Sequence, residues 1–484
     1  MMYSQQTKKN IFITFFLLLW VIAVPAIAYI SSLDPKFSFV LVGGVIGIAL
    51  AVVSALNFRI GYYIYITVSF VIHVPERMAK TEIPVGVVMD IFLFLILAGA
   101  IFDKKTKEPS NIPYYKDPLL LILYVYTAYL LIQCFNPNMF SIQGWLIYIR
   151  VYIRNFLFLF MTMKVLSNWQ QIYGFFKFWL ALSTAAALYG CLQQAVGLLP
   201  FERAYIAMNP DRFKTVMIQG HARIFSFMAD PAAFGVLMAC GVIICIILLT
   251  ASQQIISFQR KLLLLFIIVV QLLALGFSGT RTAYVMLPVG LLLFFMVNLQ
   301  NRNTLIAAVL FGFAMLAILF GPFYSSPTII RFRTAFMGSQ DESLNLRDVN
   351  RHNVQPYMYT HPIGGGVMTV GDAGVSYNPG HRLAGVQPDS GYLRAVLELG
   401  WIGLIIVCLY TYMGIHYAIR NYFREKIELN RLLLIGIAAV MYAIIVAQYA
   451  QEAAGLVESS IFLNAILGIT IRVKYNLSTL NNKV

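Results

Sequence analysis

The sequence predicts an all-α polytopic integral membrane protein with about 12–14 transmembrane helices and one large extracytoplasmic loop. Three observations predict it. The chain is 60% hydrophobic, 14% aromatic and only 11% charged, outside the range of soluble domains. Apolar runs approaching the roughly 20 residues of a helical span recur along its whole length. One polar stretch, 322–389, is much longer than any other.

The runs lie at 11–30, 37–56, 60–74, 84–102, 117–135, 144–164, 172–199, 224–250, 262–278, 280–298, 304–321, 390–413, 432–451 and 456–472. That makes about fourteen spans, of which 60–74 is short enough to be interfacial or broken. The N-terminus imitates a signal peptide, with Lys8 and Lys9, an apolar run, and Ala26-Ile27-Ala28 resembling a cleavage site. The run is long enough to span, and loop parity works with it retained. Lys104, Lys105 and Lys107, the pair Arg260/Lys261, the RNYFREK loop, and Arg472 with Lys474 then fall on one side. Because basic loops stay cytoplasmic, both termini are expected in the cytoplasm. With no Ser/Gly linker and no internal repeat, 1–484 reads as a single membrane domain. Five cysteines sit within or at the ends of spans and point to no disulfide framework. A net charge of +15 suits a protein meeting anionic lipid, and no basic block with interleaved aromatics suggests nucleic acid.

Two outer segments, 200–222 and 322–389, bend the positive-inside rule. Arg203, Arg212, Lys214 and Arg223 lie in or beside the first, and Arg331, Arg333, Arg347, Arg351 and Arg382 in the second. Part of this charge reads as solvated surface, since long loops translocate regardless of charge. The rest reads as an outward anion site.

Spans that enter from outside present the positive ends of their dipoles, with unpaired N–H groups, to the outer face. Three carry an arginine there. RIFSFMADPAAFG places Arg223 ahead of Asp230 as N-cap and Pro231 as first helical residue. SGTRTAYVMLPVG has Ser278 or Thr280 as cap and Arg281 in the first turn, and PDSGYLRAVLELGWIG has Arg394 one turn in. An arginine at a helix N-terminus is unfavourable unless an anion compensates it, and guanidinium grips phosphate in a bidentate fashion. Snorkelling to lipid headgroups is the competing explanation. In WLIYIRVYIRNFLF, Arg150 and Arg154 share one helix face within a span, so they either extend the anion site or pair with an acid such as Asp90.

Arg394 and Glu398 stand four residues apart, a spacing that lets each neutralise the other. Asp389, just before them, is a candidate base or an N-cap. Five of six histidines, His73, His221, His352, His361 and His381, are placed outside, and His381 in NPGHRLAG is the best placed to act as a base. There is no G-x-x-x-x-G-K-[ST] loop, no H-E-x-x-H or C-x-x-C, and no D-x-D pair. No cofactor or metal is therefore expected, and the substrate must arrive already activated.

The order RIFSFMADPAAFG, FSGTRTAYVMLPVG, THPIGGGV, DSGYLRAVLELGWIG resembles the superfamily of O-antigen ligases and Wzy-type surface-polysaccharide polymerases, over roughly residues 140 to 475. The resemblance implies a membrane glycosyltransferase whose donor is a glycan on undecaprenyl diphosphate, used at the outer face of the inner membrane. It implies that arginines at the positions of Arg223 and Arg281 bind the donor diphosphate; Arg394, Arg150 and Arg154 are further candidates from their places in the spans. The family's E-x-G matches Glu398 and Gly400. Ligases usually carry a histidine where this chain has Asp389 and Ser390, so catalytic candidates are Asp389, His381 and Glu398. That departure favours a polymerase of repeat units over a ligase that transfers the glycan to lipid A-core or another acceptor. Expected partners are the lipid-linked donor, the glycan or lipid A-core acceptor and membrane lipid, with a chain-length regulator and a flippase as candidates. A transporter or flippase remains the alternative from another class, although it would predict discontinuous helices and repeated halves, and no such symmetry is found.

Overall fold

The computed structural model describes residues 35–79, 84–103, 114–218, 220–322, 327–336 and 342–481. The run 11–30 and its signal-like features, and the lysines at 104, 105 and 107, lie outside them. In chain order the helices are α1 (Pro35–Leu56), α2 (Phe58–Val71), α3 (His73–Ala79), α4 (Val85–Phe102), α5 (Pro118–Ile132), α6 (Ile142–Val165), α7 (Trp169–Val196), α8 (Pro200–Ala207), α9 (Pro210–Val216) and α10 (Pro231–Leu249). They continue as α11 (Phe258–Ser278), α12 (Arg281–Asn298), α13 (Arg302–Phe320), α14 (Pro327–Thr334), α15 (Glu342–Thr360), α16 (Gly371–Tyr377), α17 (Gly391–Arg424), α18 (Glu428–Ala447) and α19 (Val457–Asn481). The only strands among the described residues form a two-residue hairpin, β1 (Met217–Ile218) and β2 (His221–Ala222).

The protein is an all-α polytopic membrane protein. Ten of these helices are long and apolar enough to cross a membrane, and every predicted run from 37 onward has its helix. The doubtful run at 60–74 is broken, with α2 ending at Val71 and α3 starting at His73. The run predicted from 224 becomes helical only at Pro231, because Asp230 caps it by accepting the Ala233 N–H at 2.8 Å.

The described chain forms two compact units. One comprises residues up to Phe102 together with Leu199–Asn209, the other Asp103–Leu198 and Pro210–Val484. In the first, α1, α2 and α4 pack on one another, Asn57 caps α2, and Tyr205 donates to Glu76 at 2.7 Å.

In the second unit α10 and α18 are buried almost throughout, whereas α13, equally apolar, buries only Thr304. Small residues explain the difference. Gly235 lies against Ser278 and Thr280, and Gly241 against Gln271, so α10 approaches its neighbours more closely than a side chain would allow. The residues around Gly312 on α13 make no such approach, and its leucines and phenylalanines face outward. The described residues of the connections 133–141, 210–230, 279–280, 321–390 and 448–456 gather at one end of this unit, the loop end.

Candidate functional site

The loop end is organised around a break in α17. Gly400 takes φ 68° and ψ −170°, a conformation essentially reserved for glycine, so the carbonyls just before it lose their partners along the helix. At membrane depth a freed carbonyl must be satisfied by protein. The HPIGGG segment supplies the donors: Gly365 N–H bonds Leu397 O at 2.7 Å and Gly366 N–H bonds Glu398 O at 3.0 Å, while Tyr129 Oη bonds Leu399 O. In return Trp401 N–H donates to Pro362 O at 3.1 Å. Gly364 and Gly366 carry φ of 81° and 91°, and a Cβ on Gly364 would strike the Glu398 carbonyl. The GGG and E-L-G motifs are thus two halves of one joint.

This joint holds Glu398 rigidly. The residue is 2% exposed, the backbone N–H groups of Met368 and Val370 are turned toward its carboxyl, and Oε1 is buried without a hydrogen-bond partner. Met368 sits at φ 56°, a strained conformation for a non-glycine residue, and that twist turns the amides toward the carboxylate. Arg394, one turn above, does not form the expected ion pair with Glu398. Its Nε lies 3.2 Å from Oε2 of Glu452, in the 448–456 loop, because Glu398 is already turned toward the amides. The loop is pinned to the start of α17, Gly391 N–H bonding Gln448 O at 2.9 Å and Ala454 N–H bonding Gln448 Oε1 at 2.8 Å. Burial pushes the Glu452 carboxyl above its usual pKa, and Arg394 partly opposes the shift. Arg394, Glu398 and Glu452 line a cavity of about 470 Å³, together with Tyr126, Tyr148, Tyr152 and Asn155.

A second cluster is built on the turn between α11 and α12. Arg223 donates to Ser278 O at 3.0 Å, Thr215 O at 3.1 Å and Thr280 Oγ1 at 3.0 Å, and Thr280 Oγ1 donates to Pro231 O at 2.8 Å. Thr280 holds the N-cap position of α12 without a side-chain capping bond, and Arg281 follows as its first residue. Arg331 of α14 lies against Gly279. Burial first, and then the charge of Arg331, push the Arg223 guanidinium down to about 10, with Arg281 adding to the effect and Asp230 opposing it. Burial also lowers Arg331. Three guanidiniums thus converge on one helix start, the electrostatics of an anion site. Arg281 and Thr282 open onto a cavity of about 190 Å³ lined by Val285, Thr334, Ala443 and Tyr449. The 448–456 loop is shared: Tyr449 and Ala450 line this cavity, Gln448 and Glu452 the larger one.

The remaining predicted residues are dispersed. Asp389 is exposed at the start of α17 with φ 52°, and it is not the cap, since Ser390 holds that position and accepts the Leu393 N–H. His381 is buried, its Nδ1 accepting the Leu383 N–H at 3.1 Å, with Tyr357 3.5 Å from Nε2 and Phe140 edge-on. Burial and the neighbouring His361 hold its pKa below the usual value. Arg154 is buried and Arg150 exposed, and neither lines the larger cavity. Arg331 and Glu452 are the residues that sequence reasoning did not place in a site. Arg331 stood among the loop arginines as a signal, whereas Glu452, just past an apolar run, gave none.

Residues 264–408 match a family model described as O-Antigen ligase (Wzy_C), in agreement with the resemblance carried by the motifs. The matched stretch contains Arg281, Arg331, His381, Asp389, Arg394 and Glu398, and leaves Arg150, Arg154, Arg223 and Glu452 outside. A search of curated proteins finds no match to the chain.

Proposed function

We propose that this protein is a membrane glycosyltransferase that lengthens a surface polysaccharide, using glycans on undecaprenyl diphosphate at the outer face of the inner membrane. The single observation that carries this reading is the convergence of Arg223, Arg281 and Arg331 on the start of α12, beside a cavity with a largely apolar wall. A prenyl diphosphate fits both halves of it: the phosphates meet the guanidiniums, and the first isoprene units lie along the Val285 and Ala443 wall.

The chemistry asked of the rest is an inverting, metal-independent transfer. An acceptor hydroxyl attacks the anomeric carbon, the bond from that carbon to the phosphate oxygen breaks, and the electron pair leaves on the diphosphate, which the arginines stabilise. The hydroxyl proton needs a base within reach. Asp389 suits this role better than His381, being exposed at the loop end and held in a strained backbone conformation, whereas His381 is enclosed and its Nδ1 is engaged. The repeat-unit polymerase is preferred on the Asp389–Ser390 departure. The description of the matched family favours the second reading, a ligase acting on lipid A-core or another acceptor.

Complementation of a deletion strain tests both. Wild type, Asp389→Ala, His381→Ala, Arg223→Ala and Arg281→Ala are compared for surface glycan on a gel, with protein level checked. Arginine variants that insert normally but lose glycan support the transferase. Acceptors capped by single repeat units then indicate a polymerase, and a long lipid-linked chain beside bare acceptors indicates a ligase. Full glycan in every variant sinks the reading.

A further inference from the structure

The larger cavity is distinct from the arginine cluster, and its walls specify a different ligand chemistry. Its volume of about 470 Å³ lies in the range of small-molecule sites. Two carboxyls, Glu398 and Glu452, share this lining with a single guanidinium, Arg394, which is already paired with Glu452. A diphosphate would find no unpaired cation there. Tyr126 and Tyr148, with hydroxyls 3.2 Å apart, and Tyr152 add flat apolar faces edged by polar groups, and Asn155 and Asn464 add amides. The decisive feature is Oε1 of Glu398. It is buried and without a hydrogen-bond partner, a condition that costs free energy unless a ligand donates to it. A ligand that donates hydrogen bonds, carries no negative charge and offers a C–H face to tyrosine rings is a sugar ring.

We propose that this cavity is a saccharide subsite, taking one or two uncharged sugar rings whose hydroxyls donate to Glu398 Oε1 and to Glu452. It rests on the transferase reading for its purpose, since it would hold the glycan beside the reacting end. Arg394 then serves to orient Glu452 rather than to bind phosphate. Glu398→Gln is an informative change. The Met368 and Val370 amides demand an oxygen, so the substituted side chain must turn its NH₂ toward the cavity and replace the free acceptor with a donor.

The test is saturation-transfer NMR on the full-length protein in nanodiscs, with methyl glucopyranoside as probe and the anionic methyl glucuronide as control. Wild type is expected to bind the glucoside and not the glucuronide. Glu398→Gln should bind about tenfold more weakly, because the acceptor that a sugar hydroxyl needs has become a donor. Ala395→Leu, which fills the cavity and leaves both carboxylates in place, should abolish binding and decides the matter alone if Glu398→Gln fails to fold. Absence of glucoside binding to wild type, equal binding of the glucuronide, or Ala395→Leu binding as wild type would each overturn the subsite. Arg223→Ala and Arg281→Ala should bind the probe normally while losing glycan transfer. If they keep full transfer, the transferase reading fails separately from the subsite.

Discussion

A Cβ at Gly400 would fall on the carbonyl of Pro362, the same carbonyl that accepts the Trp401 N–H at 3.1 Å. The break in α17 and the HPIGGG segment therefore depend on each other. Gly400→Ala adds backbone strain of about 1–3 kcal/mol to that collision, and it should lower the melting temperature and the inserted protein level sharply. Gly312→Ala, where nothing lies within 4 Å of the added methyl, is the control and should be neutral or slightly stabilising. Equal stability of the two variants would mean that the joint does not hold the loop end.

Features specified by neighbours in sequence were readable in advance. The spans follow from apolar runs, and the cap of α10 from Asp230-Pro231, because both are set within one or two turns of chain. The partner of Arg394 was not readable. Spacing pointed to Glu398 four residues on, but the carboxyl of Glu398 is taken up by amides of the 367–370 segment, and the ion pair forms with Glu452, 58 residues away in sequence. The E-L-G motif was visible as letters only. Its meaning, a glycine-only kink that frees two carbonyls for Gly365 and Gly366, required the loop to be seen in place. Arg331 was hidden for a related reason, since a short helix in a long polar segment gives no periodicity that says where it docks.

The arginine cluster predicts a graded response. Arg281→Ala and Arg331→Ala should each cut transfer by about a hundredfold, the usual cost of removing one donor to developing charge. Arg223→Lys should fare little better, because an ammonium cannot reproduce the three bonds to Ser278, Thr215 and Thr280. Since Arg223 sits near a pKa of about 10, anion binding should also weaken as pH rises through that value, earlier than for an ordinary arginine. Lys214→Ala, which removes an exposed partner of Asp211, should change nothing. Loss of transfer in the lysine control at normal protein level would argue against a localised site. The assay is glycan transfer by membranes of matched protein content.

His381 predicts a dependence of stability on pH. Its pKa is lowered in the folded protein, so below the unfolded value of about 6.5 the unfolded chain binds more protons and stability falls, down to the folded pKa. His381→Asn retains an acceptor for the Leu383 N–H and removes the titration. The difference in melting temperature between wild type and this variant should therefore shrink or reverse as pH is lowered from 7 to 5. Glu452 is shifted in the opposite sense, and subtracting the variant cancels its contribution. A difference independent of pH would mean that the ring takes up protons alike in the folded and unfolded states.

Asp389 separates the two base candidates. If it takes the acceptor proton, Asp389→Asn should lower the turnover of transfer by about 10²–10⁴-fold while leaving donor binding intact. The left-handed backbone at this position is tolerated by asparagine, so the substitution changes the charge without disturbing the start of α17, where Ser390 supplies the cap. His381→Asn should keep most of the activity. The decisive comparison is turnover at saturating donor: loss in Asp389→Asn with turnover kept in His381→Asn assigns the base to Asp389. Loss in His381→Asn with turnover kept in Asp389→Asn assigns it to the histidine, and would require the enclosure by Tyr357 and Phe140 to open when the acceptor binds.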